Sequence, residues 1–263
     1  MRIGIALILL TDLFIRSLSI KAFFTDEGIL PLSILKSSNW NPYYFSFHAM
    51  HGDLWWQVLL FSINALCIIL LLVGYRARLF TFICWTFLVS IQNRNPFILQ
   101  GGDELLRIIL FWGVFLPWGE RYSVQKTSAY PNAYFSLANV GYLFLIASVY
   151  IFSALLKTSA EWHSDGTALY YALSLDQMRL PFGTFLYHFP NLLTYLTRAV
   201  YYIELLAPFL LILPFVPSKV RVIGIFSIAL LHIGFFLSLY VGLFYIIGIV
   251  SLIGLLPGNC INW

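Results

Sequence analysis

Long apolar runs, interrupted at irregular intervals by short polar stretches, fill most of the chain. They are continuous rather than alternating. They therefore lack the two-residue period of a membrane-barrel strand and read as helices. A helix needs about 20 residues to cross the hydrocarbon layer, and tilt or a polar lining blurs its ends. On that basis the predicted spans lie near 3–20, 54–75, 79–92, 104–118, 135–156, 193–214, 219–237 and 240–257. The third and fourth are short. The run 219–257 is too long for one crossing and divides near Ser238–Tyr240. The opening MRIGIALILLTDLFIRSLSI resembles a leader, but Asp12 and Arg16 interrupt it and no small-residue cleavage site follows. It reads as a retained first span. The expected fold is an all-α, polytopic integral membrane bundle of about eight spans. It forms one domain over 1–263, with no internal repeat.

Composition agrees with that reading. Of 263 residues, 60% are hydrophobic and only 10% are charged. Soluble domains carry roughly 25% charged residues, so too few remain here for a polar shell. The principal partner is the lipid bilayer. The net charge of +4 comes from scattered single and paired basic residues, without a run. That pattern reports topology rather than a nucleic-acid partner. Cys67, Cys84 and Cys260 have no metal-site spacing, and an odd count supplies no disulfide framework.

The short connections set the orientation. YRAR carries Arg76 and Arg78, ERYSVQK carries Arg121 and Lys126 against Glu120, and PSKVR carries Lys219 and Arg221. With Arg2, all fall on one side of an eight-span arrangement, which places that side and the N-terminus in the cytoplasm. A bacterial inner membrane fits the size. The long connections 21–53, 93–103 and 157–192 then face outward. They are rich in Trp, Tyr and Phe, which settle at the headgroup level or can wall an amphiphile-binding cavity.

Polar groups within so apolar a chain need partners. Asp12 and Arg16 are four residues apart on one helix face and can pair. Glu204 in YYIELLAPF and His232 in ALLHIGFF have no backbone partner in a helix interior, so both point into the bundle. They can bond each other, line a cavity or carry a proton. The stretch NRNPFILQGGDELLR is denser: Asn93, Arg94, Asn95, Asp103, Glu104 and Arg107. Pro96 disfavours helix at Asn95. Gly101 and Gly102 permit backbone conformations closed to other residues. Asp103 can cap the following helix, and Arg107 can pair with Asp103 or Glu104. The segment reads either as a capped, salt-bridged turn or as a site for the polar head of a ligand. Lys157 ends an apolar run and precedes TSAEWHSDG. It can snorkel to the interface, or act as a base if partly buried, while Glu161 four residues on can keep it protonated. His163 gains no metal partner from its spacing. The chain has no HExxH, no phosphate-binding glycine loop and no GxSxG.

The order GYRAR, SIQNRNP, GGDELLRIILFWGVFLPWGERYSV, then SALLKTSAEW, YYIELLAPF and LLHIGFF resembles the HTTM family, which includes vitamin K-dependent gamma-carboxylase. The resemblance spans nearly the whole chain. It implies an outward-facing site in which Lys157, followed by Glu161 and Trp162, is the base that deprotonates a quinone-derived hydroquinone. Together with the polar residues read above, the expected substrate-binding set is Asn93, Arg94, Asn95, Asp103, Glu104, Arg107, Glu161, Trp162, Glu204 and His232, with Arg94, Asp103 and Arg107 shaping the polar end and Glu204 and His232 deeper. LQGGDEL lacks the histidine that the carboxylase carries there, and no large lumenal domain follows the last span. Carboxylation of a docked protein is therefore not implied. The resemblance leaves open quinone oxidation or modification of a small or membrane-associated peptide substrate, by a quinone-dependent carboxylase- or epoxidase-like enzyme or a maturation factor acting at the outer face of the membrane. The alternative is a non-catalytic accessory subunit of a larger membrane complex that holds lipid, quinone or pigment.

Overall fold

The structure is a computed structural model that describes residues 1–38, 40–119, 122–125 and 136–256. Glu120, Arg121, Lys126 and Cys260 lie outside the described residues. Among the described residues the regular secondary structure is helical, apart from one isolated bridge between Arg179 and Leu239. It divides into two compact units, Met1–Pro131 and Asn132–Trp263.

The first unit contains α1 (Arg2–Ser17), α2 (Ile20–Phe24), α3 (Leu32–Ser38), α4 (Leu54–Val73), α5 (Ala77–Arg94) and α6 (Gly101–Gly113). Helix α1 packs on α4, α4 on α5, and α5 on α6. The buried face of α1 carries Ile5, Ile8, Leu9 and Leu13, at the three-to-four-residue spacing of one helix side. Helix α4 stops at Gly74, whose φ of 79° allows a left-handed cap. The Gly74 and Tyr75 amides then close on Leu71 O and Leu70 O, each at 3.0 Å.

The second unit contains α7 (Leu137–Leu155), α8 (Ala168–Ser174), α9 (Pro181–Tyr187), α10 (Pro190–Ile212), α11 (Ser218–Ser238) and α12 (Phe244–Ile253). Helix α10 packs on α7 and on α11, and α11 packs on α12. The short α8 and α9 lie against α10 and α11, and the Arg179–Leu239 bridge fastens their linker to the end of α11.

Each of the eight predicted segments contains a helix, but four rather than eight are long and apolar enough to cross a membrane: α4, α7, α10 and α11. Helices α1, α6 and α12 have 16, 13 and 10 residues. At roughly 1.5 Å per residue, 13 residues fall well short of a hydrocarbon core about 30 Å thick. Helix α5 has 18 residues, but Arg78 and the Gln92–Asn93–Arg94 end lower its hydropathy. Apolar sequence overstates helix length because it does not register where the backbone breaks. Helix α6 ends at Gly113 although FLPW follows, and α12 starts only after Gly242, which turns with φ 61°.

The four long helices keep most of their surface outward: only 28–39% of each apolar window is buried. Leu66, Phe152, Leu206 and Leu230 are all more than half exposed. Large apolar side chains presented this way suit lipid rather than water. The chain is an all-helical, membrane-embedded protein.

Candidate functional site

The second unit builds its polar centre on one face of α7. Tyr142, Ile146, Tyr150 and Ala154 recur every four residues and are buried. Ser153 lies beside them, and Lys157 follows two residues beyond the helix end at Leu155. This face meets α10, where Glu204 is buried. Pro208, four residues after Glu204, supplies no amide, so the Glu204 carbonyl loses its usual intrahelical donor.

Lys157 and Glu204 form an ion pair, with side chains only 13% and 7% exposed. The ammonium has three hydrogens and each has an acceptor. These are Glu204 Oε2, Ser153 Oγ at 2.8 Å and Ser153 O at 3.2 Å. The Ser153 hydroxyl passes its own hydrogen to Glu204 Oε2 at 3.0 Å. Trp162 places its ring 4.8 Å from Lys157 Nζ, a cation–π contact. The predicted Lys157–Glu161 pair does not form. The chain leaves the helix at Lys157, so the four-residue spacing no longer stacks the two side chains. The Ser159 hydroxyl and its own backbone amide bond Glu161 instead, and hold its carboxyl below the usual range. His163 Nε2 bonds Lys157 O at 2.7 Å, and its ring packs edge-on to Tyr201 at 4.8 Å.

Glu204 and His232 do not bond each other. His232, 1% exposed, has its Nε2 2.8 Å from the hydroxyl of Tyr150. Its Nδ1 makes no hydrogen bond. A side chain at Gly248 would run into the His232 ring, so glycine makes the room that the imidazole occupies. Deeper along the same face, Tyr142 donates to Ser251 O at 2.9 Å.

The Asn93–Arg107 stretch lies in the first unit, and most of its side chains are engaged by protein. Asn93 donates to Phe45 O at 2.8 Å, Arg94 to Leu30 O at 2.8 Å, and Asn95 to Phe23 O at 3.0 Å. Three consecutive side chains thus fasten three points of the connection 21–53. They act as fasteners, while Arg94 Nε and Nη2 stay without hydrogen bonds. Arg94 is fully buried, with Asp26 Oδ1 3.7 Å from its Nη2.

Asp103 is not the N-cap. Helix α6 begins at Gly101, so Asp103 sits in its first turn and accepts the Gln100 amide at 2.8 Å. Gly101 and Gly102 are helical and use no left-handed conformation. Arg107 pairs with Glu104 rather than Asp103, on an exposed surface. Asp103 is taken by Arg16, which also bonds Asp12 at 2.8 Å. Gln92 closes this buried cluster by donating to Asp103 O at 2.9 Å.

Sequence reasoning missed Ser153, Tyr150 and the Arg16–Asp103 link. The first two were readable from the three- and four-residue steps that lead back from Lys157. The third spans 87 residues and left no local signal. Among the described residues, no three His, Cys, Asp or Glu side chains gather to hold one metal ion. Comparison with protein-family models, curated proteins and solved structures finds no match.

Proposed function

We propose that this chain is a membrane-embedded, HTTM-like protein that removes a proton from the hydroxyl of a quinol-type amphiphile at the Lys157–Glu204 pair. The observation that carries this reading is the pair itself. An ammonium and a carboxylate, both nearly withdrawn from solvent, lie just past a helix end beside an indole ring. Partial burial strengthens the charge interactions of such groups. Trp162, beside the ammonium, offers flat apolar surface to a ring-bearing ligand.

In this reading all eight helical segments contribute to the membrane domain, with α1, α5, α6 and α12 crossing by tilt or with local bilayer thinning. The N-terminus is cytoplasmic, the membrane is a bacterial inner membrane, and the Lys157 end of α7 faces outward. The test is a titration of the purified protein with menaquinol, following binding and ionisation of its hydroxyl beside a Lys157→Ala variant. Loss of both in the variant supports the reading; equal binding and ionisation in the two proteins removes it.

One observation favours a second reading. Every hydrogen of the Lys157 ammonium is satisfied by the protein. A closed clamp of this kind suits a non-catalytic subunit of a larger membrane complex. Native-mass purification separates the two: a stoichiometric large partner with no menaquinol ionisation selects the clamp.

A further inference from the structure

Lys157 and Glu204 differ in one respect that bears on which of them can accept a proton. A lysine that acts as a base must present a lone pair. Here all three ammonium hydrogens are engaged, by Ser153 O, Ser153 Oγ and Glu204 Oε2, and the Trp162 ring lies 4.8 Å from the nitrogen. Glu204 is arranged in the opposite way. Its Oε2 accepts both Lys157 Nζ and Ser153 Oγ. Its Oε1 accepts no hydrogen bond among the described residues. Nor is Oε1 among the sealed atoms that lack partners, so it keeps some accessible surface. One carboxylate oxygen therefore anchors the cation, while the other accepts no hydrogen bond from the described residues, in a side chain that is 7% exposed.

Resting on the proposed proton-transfer function, we infer that Glu204, through Oε1, is the group that takes the proton from the ligand hydroxyl, and that Lys157 stays an ammonium throughout. The ligand O–H bond breaks, an O–H bond forms at Glu204 Oε1, and the electron pair stays on the ligand oxygen. The neutralised carboxyl no longer balances Lys157. The ammonium, a fixed cation in surroundings of low polarity, then holds the new ligand anion. Charge is conserved: an ammonium, a carboxylate and a neutral hydroxyl become an ammonium, a carboxylic acid and an oxyanion. Ser153 is a positioning residue. Its hydroxyl is shared between the two charged groups and sets which oxygen of Glu204 anchors the cation.

The experiment uses purified full-length protein and a para-nitrophenol bearing an alkyl tail as the probe, since its phenolate absorbs visible light. Visible absorbance reports phenolate formation. Difference infrared spectra on binding report which protein group gained the proton. In the native protein the expected result is phenolate formation together with a new carboxylic-acid carbonyl band and loss of a carboxylate band. Glutamate labelled with carbon-13 should shift both bands, which identifies the group without a variant. Lys157→Arg, which keeps a cation but cannot act as a base, should still form phenolate and the acid band. Glu204→Gln should lose the acid band. Phenolate formation without an acid band, or its loss in Lys157→Arg, overturns the assignment to Glu204 while leaving the proposed function standing. Absence of phenolate in the native protein overturns both.

Discussion

Lys157 pairs with Glu204, 47 residues along the chain, and not with Glu161, four residues away. The distant partner prevails because α7 ends at Leu155, so Lys157 no longer stands one turn below residue 161. Helices α7 and α10 instead pack face to face and bring the two groups together.

Removing one partner of that pair leaves the other charge nearly buried and uncompensated. Glu204→Gln is expected to destabilise the protein by about 3 kcal/mol. Lys157→Met with Glu204→Leu together should recover much of the loss. Thermal unfolding in detergent measures both, and a double variant no more stable than Glu204→Gln would contradict the coupling.

Arg16 bonds both Asp12 and Asp103. Arg16→Met would leave two buried carboxylates with no cation, and a loss of about 3 kcal/mol or more is expected. Adding Asp12→Asn should restore part of it. Unfolding midpoints of the single and double variants decide the point.

His48 in the 21–53 connection is fully buried, with its Nδ1 2.6 Å from Ser90 Oγ. Burial first, and then the Arg94 charge, lower its pKa from 6.5 to about 3. Between those values the unfolded chain holds a proton that the folded one lacks. His48 therefore contributes full stability above about pH 6.5 and loses it as pH falls toward 3. An acid titration of unfolding should show this slope, and His48→Gln should flatten it; an unchanged slope would exclude His48 as its source.

Gly248 gives His232 its room, and an added methyl group would meet the imidazole. Gly248→Ala should displace the ring, break its bond to Tyr150 and destabilise by about 1–3 kcal/mol. The ring signals of His232 in NMR spectra should move. An unperturbed ring with native stability would show that the helices shift at no cost.

Arg94 reaches the carbonyl of Leu30 from α5. Arg94→Ala should loosen the 21–53 connection and speed its proteolysis several-fold, while binding of an amphiphile at Lys157 stays native. Hydrogen exchange over residues 23–45 reads the loosening directly. Protection equal to the native protein would remove the fastening role.

The helical, membrane-embedded character was legible in the sequence because it follows from composition and from continuous apolar runs, both local properties. The positions of the eight longer helices were legible for the same reason, as was the Asp12–Arg16 pair, whose four-residue spacing lies within one intact helix, whereas the short α2, α3, α8 and α9 fell in stretches read as connections. Tertiary structure decided the rest. It set helix lengths where the backbone breaks at Gly113 and Gly242 inside apolar sequence. It gave Lys157 to Glu204, His232 to Tyr150 and Asp103 to Arg16. It also turned Asn93, Arg94 and Asn95 toward backbone carbonyls. A buried polar group requires a partner, and sequence states the requirement. Only packing determines which of several chemically equivalent partners comes within bonding distance.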